Sequence, residues 1–257
     1  MTPAPARVLF LHGGPGLTCQ LERDRYGDSL PVRWWDQPHF EAEQLGAFDR
    51  LVDAAVEELH RLSHIANGPI ALLASSFGAH LALALIEQVP AKVNRLSIVG
   101  GILDLRTALV RLGFRVAEQN QDASLATASQ NARQSTDSAS LWALIDSLFS
   151  VPNLLHFYWG PTATLQREAM DELAATGALF HVPTYQAVLN DFMTRRPAPP
   201  VTWRGSADVW IGRCDPYALP SDAESWRGVL PQASVQFVET GHFPHLELAP
   251  SVWMPEV

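Results

Sequence analysis

The sequence predicts an α/β fold built on a mostly parallel sheet. Short runs of consecutive apolar residues recur along the chain, as strands buried on both faces require. Stretches with apolar residues three and four apart separate them, which is helical periodicity. Glycine-rich turns follow several of the apolar runs, at the strand ends where open parallel sheets bind ligands. The 257 residues suffice for one large domain with an insertion, and 47% hydrophobic with 18% charged residues is a globular composition.

Val8 to Leu11 is the first apolar run and reads as a strand. It enters His12-Gly13-Gly14-Pro15-Gly16, where three glycines and a proline force a tight loop whose amides can face a cavity. Residues 17–31 are polar and charged, closed by Pro31, and Val32 to Trp35 reads as the next strand. Leu45, Phe48, Leu51, Val52, Ala55, Val56, Leu59 and Leu62 predict a helix over 41–67, stopped by Asn67-Gly68-Pro69. A strand over 70–74 follows, then a turn at Ser75-Ser76-Phe77-Gly78 and a helix to about Gln88, which Pro90 terminates. Val93 to Val99 is another strand, closed by Gly100-Gly101.

From residue 104 the rhythm changes. Helical patterns cover 105–120, 137–150, 162–176 and 184–195, with polar stretches such as 124–140 between them and no strand signal. Pro197-Ala198-Pro199-Pro200 ends the segment as a stiff linker. The expected organisation is a core of residues 1–103 and 201–257, with a helical cap, 104–200, inserted after the fourth core strand. Its many large apolar side chains, Trp142, Phe149, Tyr158 and Tyr185 among them, are expected to pack helix on helix, with some facing the mouth of a site. The earlier rhythm then returns. Val209 to Ile211 is a strand, Gly212 to Pro216 a turn and 219–230 a weak helix. Ser234 to Val238 is a strand, and Gly241 to Glu247 opens a short final helix.

Three loops after strands carry Ser76, Asp215 and His242. A serine on a sharp strand-to-helix turn needs small neighbours two places away, and Ala74 and Gly78 supply them. Ser75 lacks that context, because Leu73 and Phe77 would crowd it. A histidine can take the serine proton and later return it to a leaving group, and a buried carboxylate fixes its tautomer. The backbone amides of Gly14 and Phe77 are the expected oxyanion donors. Asp104 is the rival acid and His245 the rival base. Asp208 is expected in solvent, His245 in a structural hydrogen bond, His12 in shaping its own loop, and His80 out of reach of the hydroxyl.

Composition narrows the partners. Eighteen basic against 27 acidic residues give a net charge of −9, with no electrostatic footprint for nucleic acid and no basic run for an anionic membrane. Cys19 and Cys214 make neither a disulfide framework nor a metal set. The apolar run at 8–11 is too short for a signal sequence or a membrane span. A soluble cytoplasmic protein acting on a small-molecule substrate, without metal or organic cofactor, is expected.

His12-Gly13-Gly14-Pro15-Gly16, the turn at Ser76, Gly212-Arg213-Cys214-Asp215-Pro216 and Gly241-His242-Phe243-Pro244-His245-Leu246-Glu247 together resemble the α/β-hydrolase superfamily. The chain order Ser, Asp, His is that family's. The resemblance covers 7–103 and 201–257, and the glycine loop is similar to that of proline iminopeptidase-like and carboxylesterase-like branches. It implies a serine hydrolase working through an acyl-enzyme on Ser76, with Asp215 and His242 as acid and base. Family members usually carry antiparallel edge strands before the His-Gly motif. Here that motif arrives at residue 12, so an N-terminally shortened sheet is expected. Ala74-Ser75-Ser76-Phe77-Gly78 and Trp35-Asp36-Gln37-Pro38-His39 depart from the peptidase-like Gly-Gly-Ser-Trp-Gly and Asp-Gln-Arg-Gly. These departures weigh against an aminopeptidase, and the aromatic content of the cap points to a fairly apolar substrate, a carboxylic ester, thioester or lactone first. Second come an amide or aminoacyl peptide, whose amine Glu168, Asp171, Glu172 or Asp191 could hold, and a carbon–carbon bond. From another class comes a non-catalytic ligand-binding protein on the same scaffold.

Overall fold

Six short strands line up in one wholly parallel sheet in the computed structural model, which describes residues 6–195 and 201–256. They are β1 (Val8–Leu11), β2 (Val32–Trp35), β3 (Ile70–Ser75), β4 (Val93–Val99), β5 (Ser206–Gly212) and β6 (Ser234–Val238), in the order β2-β1-β3-β4-β5-β6. The helices of the first part are α1 (Gln20–Tyr26), α2 (Ala47–Ile65) and α3 (Gly78–Gln88). The insertion holds α4 (Leu105–Asn120), α5 (Ala123–Gln134), α6 (Ser138–Phe149), α7 (Thr164–Ala175) and α8 (Val182–Met193). The last part holds α9 (Asp222–Val229), α10 (Pro244–Glu247) and α11 (Pro250–Trp253). No helix among the described residues is long and apolar enough to cross a membrane.

The strands are apolar throughout because both faces are covered. Leu9, Leu11, Leu72, Ala74 and Ile98 point into a large core shared with α2, α3, α4 and α9. Val8, Phe10, Ala71, Leu73 and Val99 point the other way, onto Trp34, Tyr26 of α1 and Trp253 of α11. Register across β2, β1 and β3 pairs Leu11 with both Trp35 and Ala74, so these strands end level at the carboxyl edge.

Several elements differ from expectation for identifiable reasons. Helix α2 begins at Ala47, not near residue 41. Gly46 sits at φ 63°, and the carboxylate of Asp191 on α8 accepts the Phe48 amide at 2.9 Å, which caps the first turn from outside. Leu45 falls outside the helix and stays 86% exposed. The polar residues 17–31 contain α1, and α5 runs into the polar stretch 124–140, so among the described residues five α-helices rather than four lie between β4 and β5. Strand β5 starts at Ser206, ahead of the apolar run, and Asp208 within it pairs with Arg95 at 2.8 Å rather than lying free in solvent. The proline linker lies outside the described residues. Asp104, Asp122 and Asp137 cap α4, α5 and α6, each accepting an amide three residues on at 2.9, 3.0 and 2.7 Å.

Leu59 of α2 is fully buried in the main core, whereas Leu45 is not. Leu59→Ala should therefore lower unfolding free energy by about 2–5 kcal/mol. Leu45→Ala should change it by less than about 0.5 kcal/mol. Urea denaturation of the two variants beside the parent tests the contrast.

Candidate active site

The turn between β3 and α3 puts Ser76 at φ 52°, a left-handed backbone that a side chain disfavours. Local bonds hold it there. Ser76 N donates to Val99 O at 3.2 Å, and Ala79 N donates to Ser76 O at 3.1 Å. Gly78 then lets the helix close on the sheet, since a methyl group there would overlap the carbonyl oxygens of Leu11 and His12.

The other two loops arrive at the same edge. Asp215 follows β5 and His242 follows β6. His242 Nε2 lies 2.8 Å from Ser76 Oγ, and His242 Nδ1 lies 2.8 Å from Asp215 Oδ2. The carboxylate can only accept, so Nδ1 carries the proton and Nε2 is left to accept from the serine hydroxyl. All three are buried, at 8%, 2% and 3% exposure for Ser76, His242 and Asp215. The second Asp215 oxygen accepts from Tyr217 N at 2.8 Å.

The rivals are engaged elsewhere. Asp104 is exposed and caps α4. The buried His245 donates from Nε2 to Glu22 of α1 at 2.9 Å. His12 donates to Gly13 O at 2.7 Å and accepts from Gln37 N at 3.1 Å, fixing the glycine loop. Burial lowers the His12 pKa, which keeps it neutral. His80 packs between Phe77 and Phe192, and burial pulls its pKa down to about 4. One cluster of metal-ligating types, His12, Cys19 and Asp36, lies beside the loop. Its atoms are already bonded: Cys19 Sγ donates to Trp35 O at 3.1 Å, and Asp36 accepts from Cys19 N at 2.9 Å and Arg23 at 2.6 Å.

Ser76 and His242 open on a cavity of about 770 Å³, which Gly14 and Phe77 also line. Its other walls come mainly from the insertion, with Leu105 and Leu109 of α4, Ile145 of α6, Met170 of α7 and Leu189 of α8. The insertion is tied to the site's loops. His242 N donates to Tyr158 O at 2.6 Å, and His181 N donates to Gly16 O at 2.7 Å. Glu247 accepts from Gly241 N at 2.9 Å and from Gly160 N at 3.1 Å, clamping the His242 loop to residue 160. The sequence assigns no role to Glu247, Glu22 or Tyr217, and places Tyr158 only among the packing aromatic residues of 104–200. Tyr217, two places after Asp215, is the one whose position offered a signal.

A buried serine, imidazole and carboxylate at the carboxyl edge of a parallel sheet, beneath inserted helices, is the layout of an α/β hydrolase. The chain belongs to the alpha/beta hydrolase fold family, whose model matches residues 36–249. It is similar to a proline iminopeptidase-related protein of Thermus thermophilus, with 23% identity and a TM-score of 0.65 over 96% of this chain and 85% of that one. It is also similar to Est816, an N-acyl homoserine lactone degrading enzyme, with 16% identity and a TM-score of 0.63 over 95% and 89%. A thermophilic esterase of Thermogutta terrifontis gives 16% and 0.61 over 93% and 84%. At these identities the likeness is one of fold. No curated protein matches the chain in sequence.

Burial pushes the Glu247 carboxyl above its ordinary value of 4.5, against the pull of the two amides. A raised acid means the folded protein favours the protonated form. Its contribution to stability is therefore fully present below 4.5 and is lost as pH rises through the raised value. Glu247→Gln cannot titrate. Relative to the parent it should gain stability as pH climbs from 4.5 towards neutrality, whatever constant offset the altered hydrogen bonds impose. Urea melts of both proteins across that range check the sign.

Proposed function

We propose that the protein is a serine hydrolase that cleaves a carboxylic ester, thioester or lactone of a small, fairly apolar substrate. The observation that carries this reading is the unbroken relay from Ser76 Oγ through His242 to Asp215, opening directly on an apolar cavity. On this reading Ser76 Oγ attacks the carbonyl carbon while its proton passes to His242 Nε2. The amides of Phe77 and Gly14 take the developing oxyanion. His242 then hands the proton to the leaving oxygen or sulfur, and an acyl-Ser76 remains. Water, deprotonated by the same imidazole, attacks that acyl group; the acyl–Oγ bond breaks, His242 returns the proton to Ser76 Oγ, and the acid leaves. Asp215 keeps Nδ1–H pointed at itself and stabilises the imidazolium. Residues 104–200 act as a cap that shapes the acyl pocket and excludes water.

The amide reading has less support. Of the four carboxylates that could hold a substrate amine, Asp171 alone lines the cavity, and His156 already contacts it at 2.8 Å. Asp191 is engaged by the Phe48 amide and Arg195.

A fluorophosphonate probe should label the parent protein on Ser76, and Ser76→Ala should abolish labelling. His242→Ala and Asp215→Asn should each lower kcat on a short-chain ester by roughly a thousandfold or more. A parent protein that neither labels nor turns over any ester, thioester or lactone in a chain-length screen would instead be a ligand-binding scaffold.

A further inference from the structure

The polar atoms of the cavity gather beside the relay. Tyr158, in the 3-10 turn Leu154–Tyr158, and Tyr217, after Asp215, both line the cavity, and their hydroxyl oxygens meet at 2.7 Å. Both rings pack on the His242 imidazole, with centroids 5.6 Å and 4.8 Å away. Each tyrosine is fixed through the relay itself. Tyr158 O accepts from His242 N at 2.6 Å, and Tyr217 N donates to Asp215 Oδ1 at 2.8 Å. Arg111 adds a hydrogen bond to Tyr217 O at 3.0 Å while paired with Asp222 at 2.7 Å.

Two phenol groups carry two protons, and the bond between them engages one. Among the described residues, the second has no acceptor within hydrogen-bond distance. Burial pushes the Tyr158 pKa up to about 12 and Tyr217 well above its ordinary value of 10, so both remain donors throughout the working range. The cavity around them is mostly hydrocarbon, which strengthens a hydrogen bond formed there.

We propose that the Tyr158–Tyr217 pair is a specificity element that donates a hydrogen bond to a second acceptor oxygen on the substrate, close to the scissile carbonyl. The site then prefers an oxygenated ester, such as an oxoacyl or alkoxyalkyl ester, over a plain alkyl ester of equal length. The proposal rests on the hydrolase reading above. The pair binds and orients; no proton passes through it, and no bond is made or broken at it. One neutral hydrogen bond is worth about three- to tenfold in affinity.

The test compares butyl hexanoate, butyl 3-oxohexanoate and 2-methoxyethyl hexanoate on the full chain, Tyr158→Phe and Tyr217→Phe. The readout is the kcat/KM ratio of each oxygenated ester to butyl hexanoate, in which intrinsic ester reactivity cancels between variants. At least one ratio should fall about three- to tenfold in whichever variant removes the phenol that donates to substrate, and neither ratio should move in either variant if the pair does not bind the oxygen. The fall should lie in KM, and should be the same in mildly acidic and mildly alkaline buffer. The same ratios read as Kd in a Ser76→Ala background cover slow turnover. A merely structural loss lowers all three esters alike and leaves the ratios unmoved. Unmoved ratios for both oxygenated esters, in a protein that fluorophosphonate labels, overturn the proposal alone. No labelling and no turnover overturn the hydrolase reading, and the proposal with it.

Discussion

The fold turns on one unfavourable backbone angle. Ser76 is held left-handed between β3 and α3, a conformation that costs on the order of 1–3 kcal/mol and persists only where the surroundings over-determine it. Here the surroundings are β4, whose Val99 carbonyl takes the Ser76 amide, and β1, against whose end Gly78 presses. Gly13 meets the serine from above, where even a methyl group would crowd its Cβ. Relieving the angle would pull the helix off the sheet, so the central core and the position of the hydroxyl are the same constraint. The strand order makes that position useful. The chain runs outward from β1 to β2 and then returns to place β3 on the other side of β1. Loops after β1 and β3 therefore diverge to opposite faces, and a crevice opens between them at the carboxyl edge. Every further strand lies parallel, so the loops after β5 and β6 end at that edge as well.

The inserted helices are not a loosely attached layer. They are bonded to the His242 loop at Tyr158 and Gly160, to the glycine loop at His181, and to the start of α2 through Asp191. Each anchor meets a loop or helix start at the same edge of the sheet. Helices α4, α5 and α6 pack on one another, and the apolar faces of α4 and α6 make one side of the cavity. Arg111 of α4 ties that trio back to the core through Asp222 of α9 at 2.7 Å.

Legibility in the sequence followed the strength of each element's own pattern. Buried strands are continuous apolar runs, so β1, β3 and β4 read directly, and helix α2 reads from its stripe. Helix α5 did not, because it buries only Leu125, Ser129 and Ala132, and such small and polar residues leave no periodic signal. Helix α1 has seven residues and one buried side chain, the polar Glu22. The start of α2 was misplaced because its cap is supplied by Asp191, far along the chain. The positions of Ser76, Asp215 and His242 were legible because each stands on a glycine- or proline-marked turn after a strand. The tyrosine pair was not: its members lie 59 residues apart, one of them in an insertion whose aromatic residues all read alike. Local chemistry shows in sequence, whereas a contact made by topology does not.

The electrostatics of the cavity favour a neutral substrate and a departing acid. Among the described residues its lining holds no lysine or arginine, and Asp215 sits immediately behind His242. A carboxylate entering from solvent would lose hydration with no cation to offset the loss, and would approach an existing negative charge. A neutral ester meets neither cost. On the hydrolase reading, the acid formed by deacylation ionises in the same uncompensated surroundings, beside a carboxylate, once the imidazole has given up its proton. On the same reading, a site that admits an ester is a poor site for its product. Release of the acid is favoured by the same lack of basic side chains that makes the pocket apolar.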